Sequence, residues 1–152
     1  MALSVRIGSS KTPVVLLVEE EVLIRLSIAE YLRHCGFWVI EAASAHEAKS
    51  ILLADETVHI VMCDAQLAGD ESGFALAQWV RRRRPNMALL LAASVAGKAR
   101  AAADLCDKHA LGDKQCEHPH LADRIQSMMA RRARKNRSPR GALRANERLR
   151  RG

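Results

Sequence analysis

The chain has 152 residues, of which 49% are hydrophobic and 3% aromatic, so a single domain with an aliphatic core and a tail is expected. No stretch approaches the roughly 20 apolar residues that span a bilayer, and the N-terminal sequence lacks the features of a secretory signal, so we expect a cytoplasmic protein without a membrane span. The net charge of +7 is uneven: ten of the 24 basic residues and one of the 17 acids follow Ala130, which gives this end +9 and the rest −2.

The first half of the chain predicts three strands separated by two helices. Each strand is a short apolar run, as is typical of strands covered on both faces. Three consecutive acids, Glu19 to Glu21, follow the first run, and Gly36 ends the first helix. Ser44 and Glu47 form a capping-box pattern that starts the second helix. The predicted strands are Pro13–Val18, Phe37–Ala42 and His59–Asp64.

The second half continues the alternation of strands and helices. Helices are predicted over Phe74–Arg83 and Gly97–His109, and a last one begins near Pro119. Strands are predicted over Met87–Ala93 and, more weakly, Ala110–Lys114. Five strand–helix units predict an α/β fold: a doubly wound, five-stranded parallel sheet with helices on both faces. We predict an N-terminal extension over 1–12, the folded unit over 13–132 and a disordered basic tail over 133–152.

Acidic residues follow two of these strands at the point where each strand ends. In a sheet of order 2-1-3-4-5, the first and third strands are neighbours at the switch point, where ligands bind beyond the carboxyl ends. Glu19, Glu20 and Asp64 would then share one pocket. Three carboxylates repel one another, and Mg²⁺ is a cation that relieves such repulsion. The sequence therefore predicts a Mg²⁺ pocket in which one carboxylate can attack phosphorus.

Structural interpretations of the same acids remain open. Asp64 would then be a strand-ending acid that caps the next loop, and Glu19 and Glu20 would be favourable charges at the start of a helix.

The stretches VVLLVEEEVLIRLSIAEYL, HIVMCDAQLAGDESGFALA and RPNMALLLAAS resemble the receiver domain of bacterial two-component response regulators, the flavodoxin-like or CheY-like fold. The resemblance covers roughly Pro13 to Arg132. It implies that Asp64 is the phosphoacceptor for a sensor histidine kinase or phosphotransfer protein. It also implies that Glu19 and Glu20 are the acidic metal-binding pair, and that the backbone carbonyl of Gln66 completes the Mg²⁺ shell.

The sequence departs from the family pattern at several of these positions. Glu20 replaces the usual Asp. Ala93 stands where the family has Thr or Ser after strand four, and Ser94 matches only if the register slips by one. His118 stands at the usual Lys position before a Pro, and Lys114 lies several residues too early. These departures predict a phosphorylation switch that is weak, displaced or absent.

The resulting prediction is a single-domain receiver in a phosphorelay, which is not an enzyme beyond its own phosphorylation and dephosphorylation and signals to a downstream protein target. The alternative is a phosphorylation-independent pseudo-receiver that acts as a protein-binding module. A third hypothesis assigns nucleic-acid binding to the tail. However, the tail lacks aromatic residues and a reading motif, so we expect non-specific contact with acidic surfaces and no specific nucleic-acid binding.

The four cysteines form no CxxC pair. Cys35, Cys63, Cys106 and Cys116 are scattered along the chain. This spacing predicts reduced, mostly buried thiols of a cytoplasmic protein.

Overall fold

The structure, a computed structural model, describes residues 12–54, 57–109 and 121–137. Strands and helices alternate through β4 and α4, as expected for an α/β fold. The strands are β1 (Val14–Val18), β2 (Trp38–Ala42), β3 (Ile60–Asp64) and β4 (Ala88–Ala92). The helices are α1 (Val22–His34), α2 (Ala45–Ala54), α3 (Gly73–Arg83), α4 (Val95–His109) and α5 (Leu121–Asn136).

The described part of the sheet is parallel and has the order β2-β1-β3-β4. β1 is therefore flanked on both sides, and its Val18 pairs with Ala42 of β2 and with Cys63 of β3. This order is the one predicted for the first four strands. The predicted fifth strand, 110–114, lies outside the described residues.

Helices cover both faces of the sheet because the strands are apolar on both faces. In β1, Val15 and Leu17 belong to one core, while Leu16 and Val18 belong to the other. This alternation follows from the two-residue period of a strand. The first core is completed by α1, α4 and α5, and the second by α2 and α3. The continuous apolar sequence of β1 is thus explained by burial on both sides.

Most predicted elements lie within two residues of their observed bounds. α4 begins at Val95, two residues before the predicted start at Gly97, because the Ser94 hydroxyl accepts a hydrogen bond from the Gly97 N–H. α5 ends at Asn136 and so continues past residue 132, where we predicted the folded unit to end. Within the described ranges, no helix is long and apolar enough to cross a membrane.

The prediction that all the cysteines are reduced is wrong for two of them. Cys35, just after α1, forms a disulfide with Cys106 of α4. Sequence spacing did not reveal the pair because 71 positions separate the two residues, and packing of α1 against α4 brings them together. Cys63 is a buried free thiol, and burial raises its pKa to about 12. Cys116 lies outside the described residues.

Candidate functional site

The candidate site lies at the carboxyl ends of the two central strands. Glu19 directly follows β1, and Asp64 is the last residue of β3. Because β1 and β3 are parallel neighbours, their carboxyl ends lie side by side. The structure brings together these two acids, which are distant in sequence, and both are buried: Glu19 is 2% exposed and Asp64 is 9% exposed.

A lysine that we did not predict joins the two acids. The Lys98 ammonium lies 2.7 Å from Oε2 of Glu19 and 3.0 Å from Oδ2 of Asp64. Lys98 belongs to the first turns of α4 and is only 6% exposed. A buried ammonium is tolerated when it is paired and hydrogen-bonded, and here two carboxylates provide that pairing.

The ionisation of the site reflects burial opposed by pairing. Burial raises the pKa of Glu19 above its ordinary value, and the ion pair with Lys98 only partly opposes this effect. Burial alone would lower the pKa of Lys98, but its hydrogen bonds to Glu19 and Asp64 outweigh burial, so the pKa is raised. Lys98 therefore remains a cation at neutral pH.

Glu20 and Gln66, the other residues of the predicted metal site, make backbone hydrogen bonds next to the two buried acids. Oε2 of Glu20, which is exposed, accepts a hydrogen bond from the Ala68 N–H at 3.0 Å, in the loop after β3. The Gln66 N–H donates to Oδ1 of Asp64 at 2.8 Å. Glu20 is thus engaged at the rim of the pocket, while Gln66 fixes the orientation of the Asp64 carboxylate.

The arrangement of these residues does not fit a bound Mg²⁺ ion. Both oxygens of Glu19 are engaged, with Lys98 and with the Glu21 N–H, and both oxygens of Asp64 are engaged in the same manner. Throughout the part of the chain that the structure describes, no group of three His, Cys, Asp or Glu side chains is placed to hold a metal ion. The cation that meets these acids is Lys98.

The remaining predicted positions are Ala93 and His118. Ala93 directly follows β4 and is exposed. The adjacent Ser94 uses its hydroxyl as an acceptor for the Gly97 N–H, which is the role of a helix N-cap. His118 and Lys114 lie outside the described residues.

Gly73 positions α3 directly against the site. A Cβ atom on Gly73 would overlap the backbone carbonyl oxygen of Asp64 and crowd the backbone of Ala65. The α3 N-terminus therefore approaches the end of β3 more closely than any residue with a side chain would allow. Ser72 caps this helix by accepting the Ala75 N–H. Close packing of α3 against β3 therefore requires a glycine at position 73.

The sequence did contain a signal for Lys98, which we missed. Lys98, Ala102 and Cys106 are spaced i, i+4 and i+8, and all three are buried on one face of α4. A lysine in such a stripe of small apolar residues requires an acidic partner from elsewhere in the fold. The resemblance places the cation after strand five instead, in a different part of the chain.

The fold and the site together place the chain in a class of proteins. This class is the doubly wound α/β proteins that carry carboxylates at the switch point between the central strands. A family model described as the response regulator receiver domain matches residues 15–126, more than half of the chain. The chain therefore belongs to the response regulator receiver domain family. The matched region contains Glu19, Asp64 and Lys98, the three residues whose side chains form ion pairs at the site. A search of curated proteins found no match.

Solved receiver structures share this fold. A response regulator receiver protein from Pseudomonas putida is 22% identical, with a TM-score of 0.52, covering 61% of this chain and 81% of that one. A receiver domain protein from Clostridium thermocellum is 19% identical, with a TM-score of 0.52, covering 80% and 97%. A receiver protein from Sinorhizobium medicae is 18% identical, with a TM-score of 0.54, covering 66% and 98%. These similarities support the fold.

Proposed function

We propose that the chain is a receiver module of a two-component phosphorelay in which Asp64 accepts a phosphoryl group. The observation that carries this proposal is the Asp64 carboxylate, which ends a central strand and contacts a buried cation 3.0 Å away. The phosphoryl donor is a phosphohistidine of a sensor histidine kinase or of a phosphotransfer protein. A downstream protein target would then bind the phosphorylated module.

The chemistry is a transfer from nitrogen to oxygen. An Asp64 oxygen attacks phosphorus, the phosphorus–nitrogen bond breaks, and its electron pair returns to the imidazole. The product is an aspartyl phosphate. Because Oδ2 of Asp64 is paired with Lys98, attack by this oxygen requires the ammonium to move from the carboxylate to the phosphoryl oxygens. Lys98 would then supply the positive charge that we had expected from Mg²⁺, the usual partner of this site in receiver domains.

Intact mass spectrometry tests the proposal. We expect incubation with a small acyl-phosphate donor to add one phosphoryl group to the wild type, in buffer with Mg²⁺ or with a chelator. Asp64→Asn should remove this gain, whereas Asp70→Asn should retain it because Asp70 is an exposed acid of the neighbouring loop. If neither this donor nor phosphorylated histidine kinases modify the wild type in either buffer, phosphoryl acceptance is excluded.

One observation favours a second candidate function, a phosphorylation-independent protein-binding module. All four carboxylate oxygens of Glu19 and Asp64 have partners inside the protein, so the site is complete without modification. This candidate predicts that Asp64→Asn leaves binding to the downstream partner unchanged, whereas the phosphorelay predicts that binding follows phosphorylation.

Exposed apolar side chains near the site suggest where the phosphoryl donor docks. Val22 and Leu26 of α1 and Phe74 of α3 are each about half exposed or more. α1 follows β1 and α3 follows β3, so these helices begin at the edge of the sheet that carries Asp64. We propose that these side chains contact the protein that carries the phosphohistidine.

Three further points complete the proposal. We propose that the chain catalyses no reaction beyond its own phosphorylation and dephosphorylation, and that it acts in the cytoplasm, as the receiver family implies.

The basic end of the chain would contact acidic surfaces without sequence specificity. Its described part, the end of α5, already presents exposed cations at Arg131, Arg134 and Lys135.

A further inference from the structure

We propose that Lys98 takes the place of the divalent cation in this pocket, so that the unphosphorylated protein does not bind Mg²⁺ at Glu19 and Asp64. This inference rests on the proposed function only to the extent that both concern the same pocket. It assigns Lys98 the role of an internal counterion, and it predicts that removal of the ammonium uncovers a metal site that the wild type keeps closed.

The first support is that each of the four carboxylate oxygens already has a partner inside the protein. Lys98 holds one oxygen of Glu19 at 2.7 Å and one of Asp64 at 3.0 Å. The other oxygens accept the N–H groups of Glu21 at 3.1 Å and Gln66 at 2.8 Å. Each oxygen retains a second lone pair, so a metal ion could bind only beside one of these partners, and on two of the four oxygens that partner is the ammonium.

The second support is the short distance that would separate the Lys98 ammonium from a metal ion bound to the carboxylate oxygens that Lys98 contacts. Mg²⁺ binds carboxylate oxygens at about 2.1 Å. An ion on Oε2 of Glu19 would therefore lie within about 5 Å of the Lys98 nitrogen, inside a pocket that excludes most water. Two cations at that separation repel strongly where the dielectric constant is low. The ion and the ammonium thus compete for one place.

The third support is that nothing in α4 itself favours a lysine at this position. A cation near a helix N-terminus is opposed by the helix dipole, and burial of an ammonium is costly. Both effects would select against Lys98 unless the acids compensate for them. The helix start is fixed independently, because Ser94 accepts the N–H groups of Gly97 and Lys98 with its hydroxyl and carbonyl oxygens, respectively. The ammonium is therefore held in the pocket by Glu19 and Asp64.

Titration calorimetry with MgCl₂ on unphosphorylated protein tests the proposal. We expect no binding heat from the wild type and clear binding by Lys98→Met, which keeps an unbranched side chain, one heavy atom shorter, and removes its charge. The gain in affinity should be at least about tenfold, because one unit of positive charge is removed at close range. Lys108→Met is the matched control, since Lys108 is an exposed lysine on the same helix, and it should behave as the wild type. Adding Asp64→Asn to Lys98→Met should abolish the new binding.

Two outcomes would overturn the proposal: Mg²⁺ binding by the wild type as tight as that of Lys98→Met, or no binding by a folded Lys98→Met protein. If Lys98→Met does not fold, the melting temperature of the wild type decides. It should be unchanged by about 10 mM Mg²⁺, because a ligand stabilises only a protein that it binds, and a rise that Asp64→Asn abolishes would contradict the proposal. Neither measurement uses a phosphoryl donor, so failure here is distinct from failure of phosphoryl acceptance.

Discussion

At the scale of single residues, Glu19 combines an unfavourable burial with a favourable ion pair. Its carboxylate is almost completely buried, and desolvation raises its pKa even though Lys98 lies 2.7 Å away. The charged form is therefore less favourable in the folded protein than in the unfolded chain. Such a group makes the free energy of unfolding depend on pH.

The sign of this dependence follows from the raised pKa. Between the unfolded pKa, near 4.5, and the higher folded pKa, the folded state binds more protons than the unfolded state. The stabilisation from Glu19 is therefore fully present below about pH 4.5 and is lost as the pH rises through the folded pKa. We expect the free energy of unfolding of the wild type, relative to Glu19→Gln, to fall over this range in urea titrations.

The matched control is Glu30→Gln, which replaces an exposed acid on α1. The free energy of unfolding of the wild type, relative to Glu30→Gln, should show no comparable fall over this pH range. A difference between wild type and Glu19→Gln that rises with pH would show that the pairing with Lys98 outweighs burial.

The acids of the site were predictable from the sequence, but their counterion was not. Glu19 and Asp64 each follow a recognisable apolar run, and strand order then brings them together. Lys98 lies four residues into a helix that follows a different strand, so its approach depends on how α4 packs. Helix packing is decided by side-chain contacts in three dimensions, which the periodicity of one sequence does not reveal.

At the scale of elements, hydroxyl side chains determine where several helices begin. Ser44 accepts the Glu47 N–H at 3.1 Å, as the capping-box pattern predicts. The Glu47 carboxylate accepts the N–H of Ala43, one residue before the cap, at 2.8 Å. Ser94 has no such pattern around it, and for this reason the start of α4 was predicted two residues late. A helix start could therefore be predicted where both residues of a known capping pattern are present in the sequence.

Ser94→Ala tests the capping role of this hydroxyl. Loss of the 3.0 Å contact with the Gly97 N–H should lower the free energy of unfolding by about 1 kcal/mol, the usual cost of losing an N-cap. Ser50→Ala on α2 is the matched control, because its hydroxyl bonds to a carbonyl within its own helix and should matter less. Equal urea midpoints for Ser94→Ala and the wild type would exclude the capping role.

At the scale of the whole molecule, the two-sided sheet was the most predictable feature. Short apolar runs alternating with amphipathic helices leave few arrangements other than a parallel sheet covered on both faces. The order of the first four strands agrees with the predicted order. The disulfide was not predictable, because cysteine positions in a sequence do not define connectivity.

Reduction of the Cys35–Cys106 disulfide should lower the stability of the whole protein. The bond closes a loop of 71 positions, for which the chain-entropy model gives an upper value of about 4 kcal/mol. We expect a lower urea midpoint in the presence of a reductant. The double variant Cys35→Ala/Cys106→Ala should be insensitive to the reductant, and equal midpoints for reduced and oxidised wild type would contradict this expectation.

The same disulfide also makes part of the molecule a covalent ring. Asp64 and Lys98 both lie between Cys35 and Cys106, whereas Glu19 lies outside this ring. A single backbone cleavage anywhere inside the ring would produce two polypeptides that remain attached through sulfur. Asp64 and Lys98 would therefore stay on one tethered molecule even after the peptide chain between them had been cut.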